Sequence, residues 1–222
     1  MSTENKGKRG STAHEGSPAA LSTQYVVAFI LVLLLAACGE KPPQLPKLGP
    51  EDVVLAFGDS LTYGTGAGPE EAYPKILSVL IDRQVIGAGV PGETTEGGLE
   101  RLPAVLDEVK PKLLLLCLGG NDMLRKVNYA SIESNLRAMI EAARVRSVPV
   151  LLIGVPEPAL FGGTAPFYDK LADELNLPIE NKIMQVVLFD RELKSDQIHP
   201  NARGYRRMAQ AIADFLHEAG AV

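Results

Sequence analysis

Tryptophan is absent from this 222-residue chain, cysteine occurs twice and histidine three times. Each scarcity excludes something. The two cysteines sit in settings too different to pair: Cys117 lies inside the apolar run KLLLLCLGG and reads as a buried strand residue, whereas Cys38 ends a hydrophobic segment. With so few histidines, no H-E-x-x-H and no Cys/His cluster, no metal site is indicated, and no cofactor is called for. No stripe of Lys and Arg breaks the mildly acidic balance of −5, which argues against a nucleic-acid partner. What is present in quantity is apolar side chain, 46% of residues, enough for one domain with a substantial core plus an appendage.

The appendage is N-terminal. Residues 1–24 are rich in Gly, Ser, Thr and Ala without a hydrophobic period, and disorder is expected there. The run YVVAFILVLLLAAC follows. It is short for a membrane span, which needs roughly twenty apolar residues, and suits the hydrophobic region of a signal peptide. Its end, Leu35-Ala36-Ala37-Cys38, resembles a bacterial lipobox. That resemblance implies a mature protein beginning at a lipidated Cys38, held to a membrane by acyl chains whose methylenes each contribute roughly 0.8 kcal/mol. An uncleaved signal anchor, or secretion after a nearby cut, are the alternatives. Gly39 rather than Asp follows the cysteine, which in a Gram-negative cell implies the outer membrane. The expected organisation is a signal peptide with its extension over 1–37, a lipidated cysteine and extended proline-rich tether over 38–50, and a folded domain over 51–222. The expected location is the cell envelope, as a lipid-anchored monomer.

From residue 51 the pattern alternates. DVVLAF, RQVIGAGV, KLLLLCLGG and VPVLLIGV read as strands, with a fifth, weakly marked strand near 177–189. Between them EEAYPKILSVLI, TTEGGLERLPAVLDEV, SIESNLRAMIEAARV and FYDKLADEL carry helical spacing, and RGYRRMAQAIADFLHEAG closes the chain as a helix. Pro103 is expected to bend or interrupt the second of these helices. Uniformly apolar strands separated by amphipathic helices imply an α/β fold with a parallel sheet covered on both faces. In such sheets ligands bind beyond the carboxyl ends of the strands. The segments GDSLTYG, GVPGETTEGG, GGNDM and GVPEP should therefore converge on one rim.

Ser60 stands on that rim, and a serine hydroxyl needs a base to become a nucleophile. His14 lies in the segment expected to be removed, and His217 near the end of the last helix is expected to face solvent. His199 in SDQIHPNARGY remains, with Asp196 three residues before it, a spacing that lets the carboxylate fold back onto the imidazole. Donors for a developing oxyanion are available from the Ser60 and Gly92 backbone N–H groups and the Asn121 side-chain amide. Asp59 and Asp122 read as carboxylates that order loops. Tyr63 either lines the pocket or packs. The G-x-S-x-G elbow of ordinary α/β-hydrolases is not met, because Thr62 occupies its last position.

Taken in order, Gly58-Asp59-Ser60-Leu61, Gly92, Gly119-Gly120-Asn121-Asp122 and Asp196-x-x-His199-Pro200 resemble the SGNH hydrolases, or GDSL esterases and lipases, over roughly residues 52 to 218. Within them, GDSLTYGTGA and GGNDMLR are most similar to the bacterial arylesterase, thioesterase and lysophospholipase branch. The match is weakest between Pro156 and Leu193, which helps shape the acyl pocket. The resemblance implies a flavodoxin-like three-layer α/β/α sandwich with a parallel sheet of about five strands. It also implies Ser60, His199 and Asp196 as a triad, and Ser60, Gly92 and Asn121 as the oxyanion hole. The implied activity is hydrolysis of carboxylic esters, with small-molecule or lipid esters as partners. A cell-envelope carbohydrate deacetylase, or a non-catalytic lipoprotein binding acyl chains or glycans, are the competing readings.

Overall fold

Residues with apolar side chains on both faces can form strands only where helices cover both sides of the sheet. In the computed structural model, which describes residues 1–2, 43–158 and 163–222, this is how the apolar runs are used. The chain divides into units Met1–Glu40 and Lys41–Val222, and every element below belongs to the second. Strands β1 (Val53–Gly58), β2 (Gln84–Gly89), β3 (Leu113–Cys117), β4 (Val150–Ile153) and β5 (Ile179–Glu180) form one sheet in the order β2-β1-β3-β4-β5. All neighbours are parallel. This is the flavodoxin-like order, with its reversal at β1 and β3. All five residues of β3 and all four of β4 are buried.

Helix α1 (Ser60–Tyr63) is a single turn, α2 (Tyr73–Ile81) and α3 (Thr95–Val109) follow, and α4 (Gly120–Leu124) is again short. Then come α5 (Tyr129–Arg144), α6 (Pro166–Leu175), α7 (Ile183–Phe189) and α8 (Ala202–Glu218). One layer packs α2 and α7 against α8; the other packs α5 between α3 and α6. Buried Met208, Ile212 and Leu216 along α8 give it a continuous apolar stripe.

Register levels the functional ends of three strands. Gly58 pairs with Gly89 on one side and with Cys117 on the other. The loops after β1, β2 and β3 therefore leave the sheet side by side. Gly89 has a steric reason to be glycine, since a Cβ there would run into the backbone of Asp59 and Tyr63.

Three local outcomes differ from the pattern of the sequence. The strand expected near 177–189 is limited to Ile179–Glu180, and Ile183–Phe189 is helical. The β-branched and aromatic character of VVLF suggests a strand, yet Ile183, Met184 and Val187 are buried at helical spacing. Glu180 also caps that helix, accepting from the Ile183 and Lys182 N–H groups. Helix α3 runs on through Pro103, held by buried Gly98, Leu102 and Leu106 on either side of it.

Residues 43–50, expected as part of an extended tether, lie along the domain instead. The N–H of Leu45 donates to Ala219 O at 2.9 Å and that of Leu48 to Ala221 O at 2.8 Å, and both leucine side chains are buried. Cys38 and the apolar segment before it lie outside the described residues. Among the described residues, no helix is long and apolar enough to cross a membrane.

Candidate active site

β1 ends in Gly58 and passes directly to Asp59, whose carboxylate accepts the N–H of Leu61 at 3.0 Å and caps the one-turn helix α1. Ser60 is thereby fixed at the sheet's carboxyl edge and is 9% exposed. The hydroxyl of buried Tyr205 donates to Thr65 O at 2.7 Å and holds the far side of this turn to α8. Tyr205 is a support that helical spacing alone cannot identify as more than core. The one available signal is chemical, because a buried tyrosine needs a partner for its O–H.

The second part of the site comes from residue 194 onward. Lys194 and Pro200 form an antiparallel bridge, and the Ser195 N–H donates to His199 O at 3.0 Å, closing a tight loop. Asn201 fixes it from behind: its amide donates to Glu192 O and Lys194 O, while its Oδ1 accepts from the Gly204 N–H and caps α8. Inside the loop Asp196 Oδ1 accepts the N–H groups of Ile198 and His199, and Oδ2 lies 2.8 Å from His199 Nδ1. On the other side of the ring, His199 Nε2 lies 3.0 Å from Ser60 Oγ, across 139 residues of sequence.

An ionised carboxylate only accepts, so Asp196 keeps the proton on Nδ1 and leaves Nε2 to accept from the Ser60 hydroxyl. Partial burial pushes the Asp196 carboxyl upward, but the hydrogen bonds from the His199 ring and from the Ile198 and His199 N–H groups outweigh it and hold the group below its usual range. The Asp196 side chain is 53% exposed and that of His199 15%, so the ring is sheltered while its carboxylate reaches solvent.

Asn121 enters from the first turn of α4, after Gly119, which holds φ +121 beside Tyr168. Both hydrogens of the Asn121 amide are engaged, one with Asp59 Oδ2 at 3.1 Å and one with Glu93 O at 3.0 Å. Gly92, with φ +81, is exposed on the loop after β2; its carbonyl accepts from Arg125 at 3.0 Å, and it is not part of the cavity lining. Ser60, Asn121 and His199 line one cavity of about 620 Å³, walled by Leu61, Leu124, Val155, Leu188, Phe189 and Ile198.

Two other carboxylates order the loops. Asp122 accepts from the Thr95 N–H at 2.9 Å and the Thr95 hydroxyl at 2.6 Å, tying α4 to α3. Asp59 is 2% exposed, and burial raises its carboxyl to about 6 despite the opposing pull of the Leu61 N–H and the charge of His199. Tyr63, 63% exposed, lies outside the cavity lining, and His217 faces solvent. Among the described residues no cluster of His, Cys, Asp and Glu is arranged to hold a metal ion.

A model of the GDSL-like lipase/acylhydrolase family matches residues 56–207. The thioesterase 1/protease 1/lysophospholipase L1 of Escherichia coli K12 is 33% identical over 173 residues, covering 74% of this chain and 81% of that protein. The arylesterase of Vibrio mimicus is 29% identical over 202 residues, covering 86% of this chain and 96% of that protein. Among solved structures, that of TesA superposes with a TM-score of 0.69 at 28% identity, over 76% of this chain and 99% of that one.

Proposed function

The chain belongs to the GDSL-like lipase/acylhydrolase family and is a carboxylic ester hydrolase, and we propose that it works through a Ser60–His199–Asp196 triad and an acyl-enzyme. The observation that carries this reading is the unbroken chain of contacts from Ser60 Oγ to His199 Nε2 at 3.0 Å and from His199 Nδ1 to Asp196 Oδ2 at 2.8 Å. As Ser60 Oγ bonds to the acyl carbon, its proton passes to His199 Nε2, and Asp196 stabilises the imidazolium. The carbonyl electrons move onto oxygen. When they return, the bond to the alcohol or thiol breaks and His199 protonates the leaving group. Water, deprotonated by the same imidazole, then releases the acid and restores Ser60.

The oxyanion takes its hydrogen bonds from the N–H groups of Ser60 and Gly92 and from Asn121. For Asn121 this requires an exchange, because both amide hydrogens are held by Asp59 and Glu93 before substrate arrives. Replacing Asn121 with Ala should cost about 3 kcal/mol of transition-state stabilisation. The apolar walls suit aryl esters, thioesters and lysophospholipids, the substrate types in the names of the relatives. We also assign Cys38 as the lipidated anchor of a monomeric, cell-envelope protein.

The test is hydrolysis of a short-chain p-nitrophenyl ester. Ser60→Ala and His199→Ala should each lower kcat by about 10⁶-fold, with the fold intact by circular dichroism. Wild-type turnover by Ser60→Ala would refute the triad.

A further inference from the structure

Asn121 can serve an oxyanion only through its amide nitrogen, so the sense in which the amide is held decides whether it can act. Its Nδ2 donates to Asp59 Oδ2 at 3.1 Å and to Glu93 O at 3.0 Å. A backbone carbonyl can only accept, so Glu93 O selects the nitrogen of the amide over its oxygen. The position of that carbonyl is therefore a condition of the chemistry.

Glu93 lies on the loop between β2 and α3, whose two ends are well anchored. The Val90 N–H donates to Gly58 O at 3.0 Å, and Thr95 is bound to Asp122 through its N–H and its hydroxyl. Between them Pro91 and Gly92 are exposed. Arg125 donates to Gly92 O at the surface, where water competes for the contact. The middle of the loop is held instead by the Glu93 side chain. Its carboxylate, 8% exposed, meets Arg101 in a two-pronged contact, with Nε to Oε1 at 2.8 Å and Nη2 to Oε2 at 2.6 Å. Such a fork is directional as well as strong. The same Nη2 donates to Ala88 O at 3.0 Å, and the guanidinium carbon lies 4.0 Å from the centre of the Phe57 ring. Arg101, on α3, thus joins the penultimate residues of β1 and β2 to the loop that carries Glu93.

We propose that Arg101 is a positioning residue for ester hydrolysis: through the Glu93 carboxylate it fixes the Glu93 carbonyl, and that carbonyl holds the Asn121 amide in the sense an oxyanion needs. This rests on the oxyanion role proposed for Asn121. Arg101 lies outside the cavity lining, so it acts through the loop and not on the substrate. Desolvation offsets much of the attraction in a pair this sheltered, and its contribution is to geometry more than to stability.

The test is a double-mutant cycle in the full chain, read as kcat and KM for a short-chain p-nitrophenyl ester. Arg101→Met removes the fork and keeps a thioether to pack on Phe57. It should lower kcat about 30-fold with KM within about twofold, because a displaced donor is lost to the transition state and not to substrate binding. Asn121→Ala should lower kcat about 10²-fold, and adding Arg101→Met to it should change kcat by less than about twofold, since the group being positioned has gone. Glu93→Ala breaks the fork from the other side, leaves Arg101 open to water and should repeat both results; it carries the cycle if Arg101→Met fails to fold. Full kcat in both fork variants, or the same fractional loss in the Asn121→Ala background as in wild type, overturns the positioning role and leaves the oxyanion reading standing. Wild-type kcat in Asn121→Ala overturns the oxyanion reading, and the role of Arg101 with it.

Discussion

Asp59 shows how a single residue can serve the site at a cost to the fold. Its carboxylate holds the Leu61 N–H and the Asn121 amide while almost fully buried, and its carboxyl is raised from 3.8 to about 6. Between those values the folded protein holds a proton that the unfolded chain has released. Stability contributed by this group is therefore fully present below about pH 4 and is lost as pH rises through 6, on the order of 3 kcal/mol in all. Urea denaturation at pH 4 and pH 7 should show wild type losing about that much relative to Asp59→Asn. Parallel behaviour of the two proteins would place the burden elsewhere. Asp196 has the opposite sign, since its hydrogen bonds to His199 keep it ionised. Asp196→Asn should lower kcat by about 10⁴-fold, because an amide can present a hydrogen to Nδ1 and favour the wrong tautomer. At this scale Ser60, Asp196 and His199 were legible, as residue types with few competitors in the chain. The double engagement of Asn121, the exposed position of Gly92 and the support from Tyr205 were not. They depend on where partners from distant segments fall, which spacing along one segment does not encode.

Elements were legible where periodicity was long and unambiguous, as in β1, β3, β4, α5 and α8. The short run after Ile179 was not, because VVLF has strand propensity while burial of Ile183, Met184 and Val187 selects a helix. The consequence is functional: α7 and the 3₁₀ turn after it supply Leu188, Phe189 and Arg191 to the cavity. The proline-rich stretch before β1 misleads in a different way. Its prolines suggest a free tether, but Leu45 and Leu48 alternate into the core beside the chain terminus. Each of Leu45→Ala and Leu48→Ala should lower unfolding free energy by about 2 kcal/mol or more in urea titrations. A loose strap would leave both midpoints where wild type has them.

At the scale of the whole molecule, the sheet order puts its reversal between β1 and β3, and the nucleophile and Asn121 follow those two strands. The alternation of apolar strands and amphipathic helices made the parallel sheet and the common rim of its loops readable, whereas the flavodoxin-like arrangement followed only from the family resemblance. The N-terminal anchor rests on sequence alone, through the apolar run ending at Cys38. Cys38→Ser should move the protein from the membrane fraction to the soluble fraction of fractionated cells, and an unchanged distribution would count against lipidation. The claim on which the rest depends is that a hydroxyl from the first strand and an imidazole from the last loop act as one unit. Labelling the detergent-solubilised chain with a fluorophosphonate and locating the adduct by peptide mass spectrometry tests it most directly. The prediction is a single adduct on Ser60 that forms far more slowly in His199→Ala; ester hydrolysis that persists with Ser60 unlabelled would contradict it.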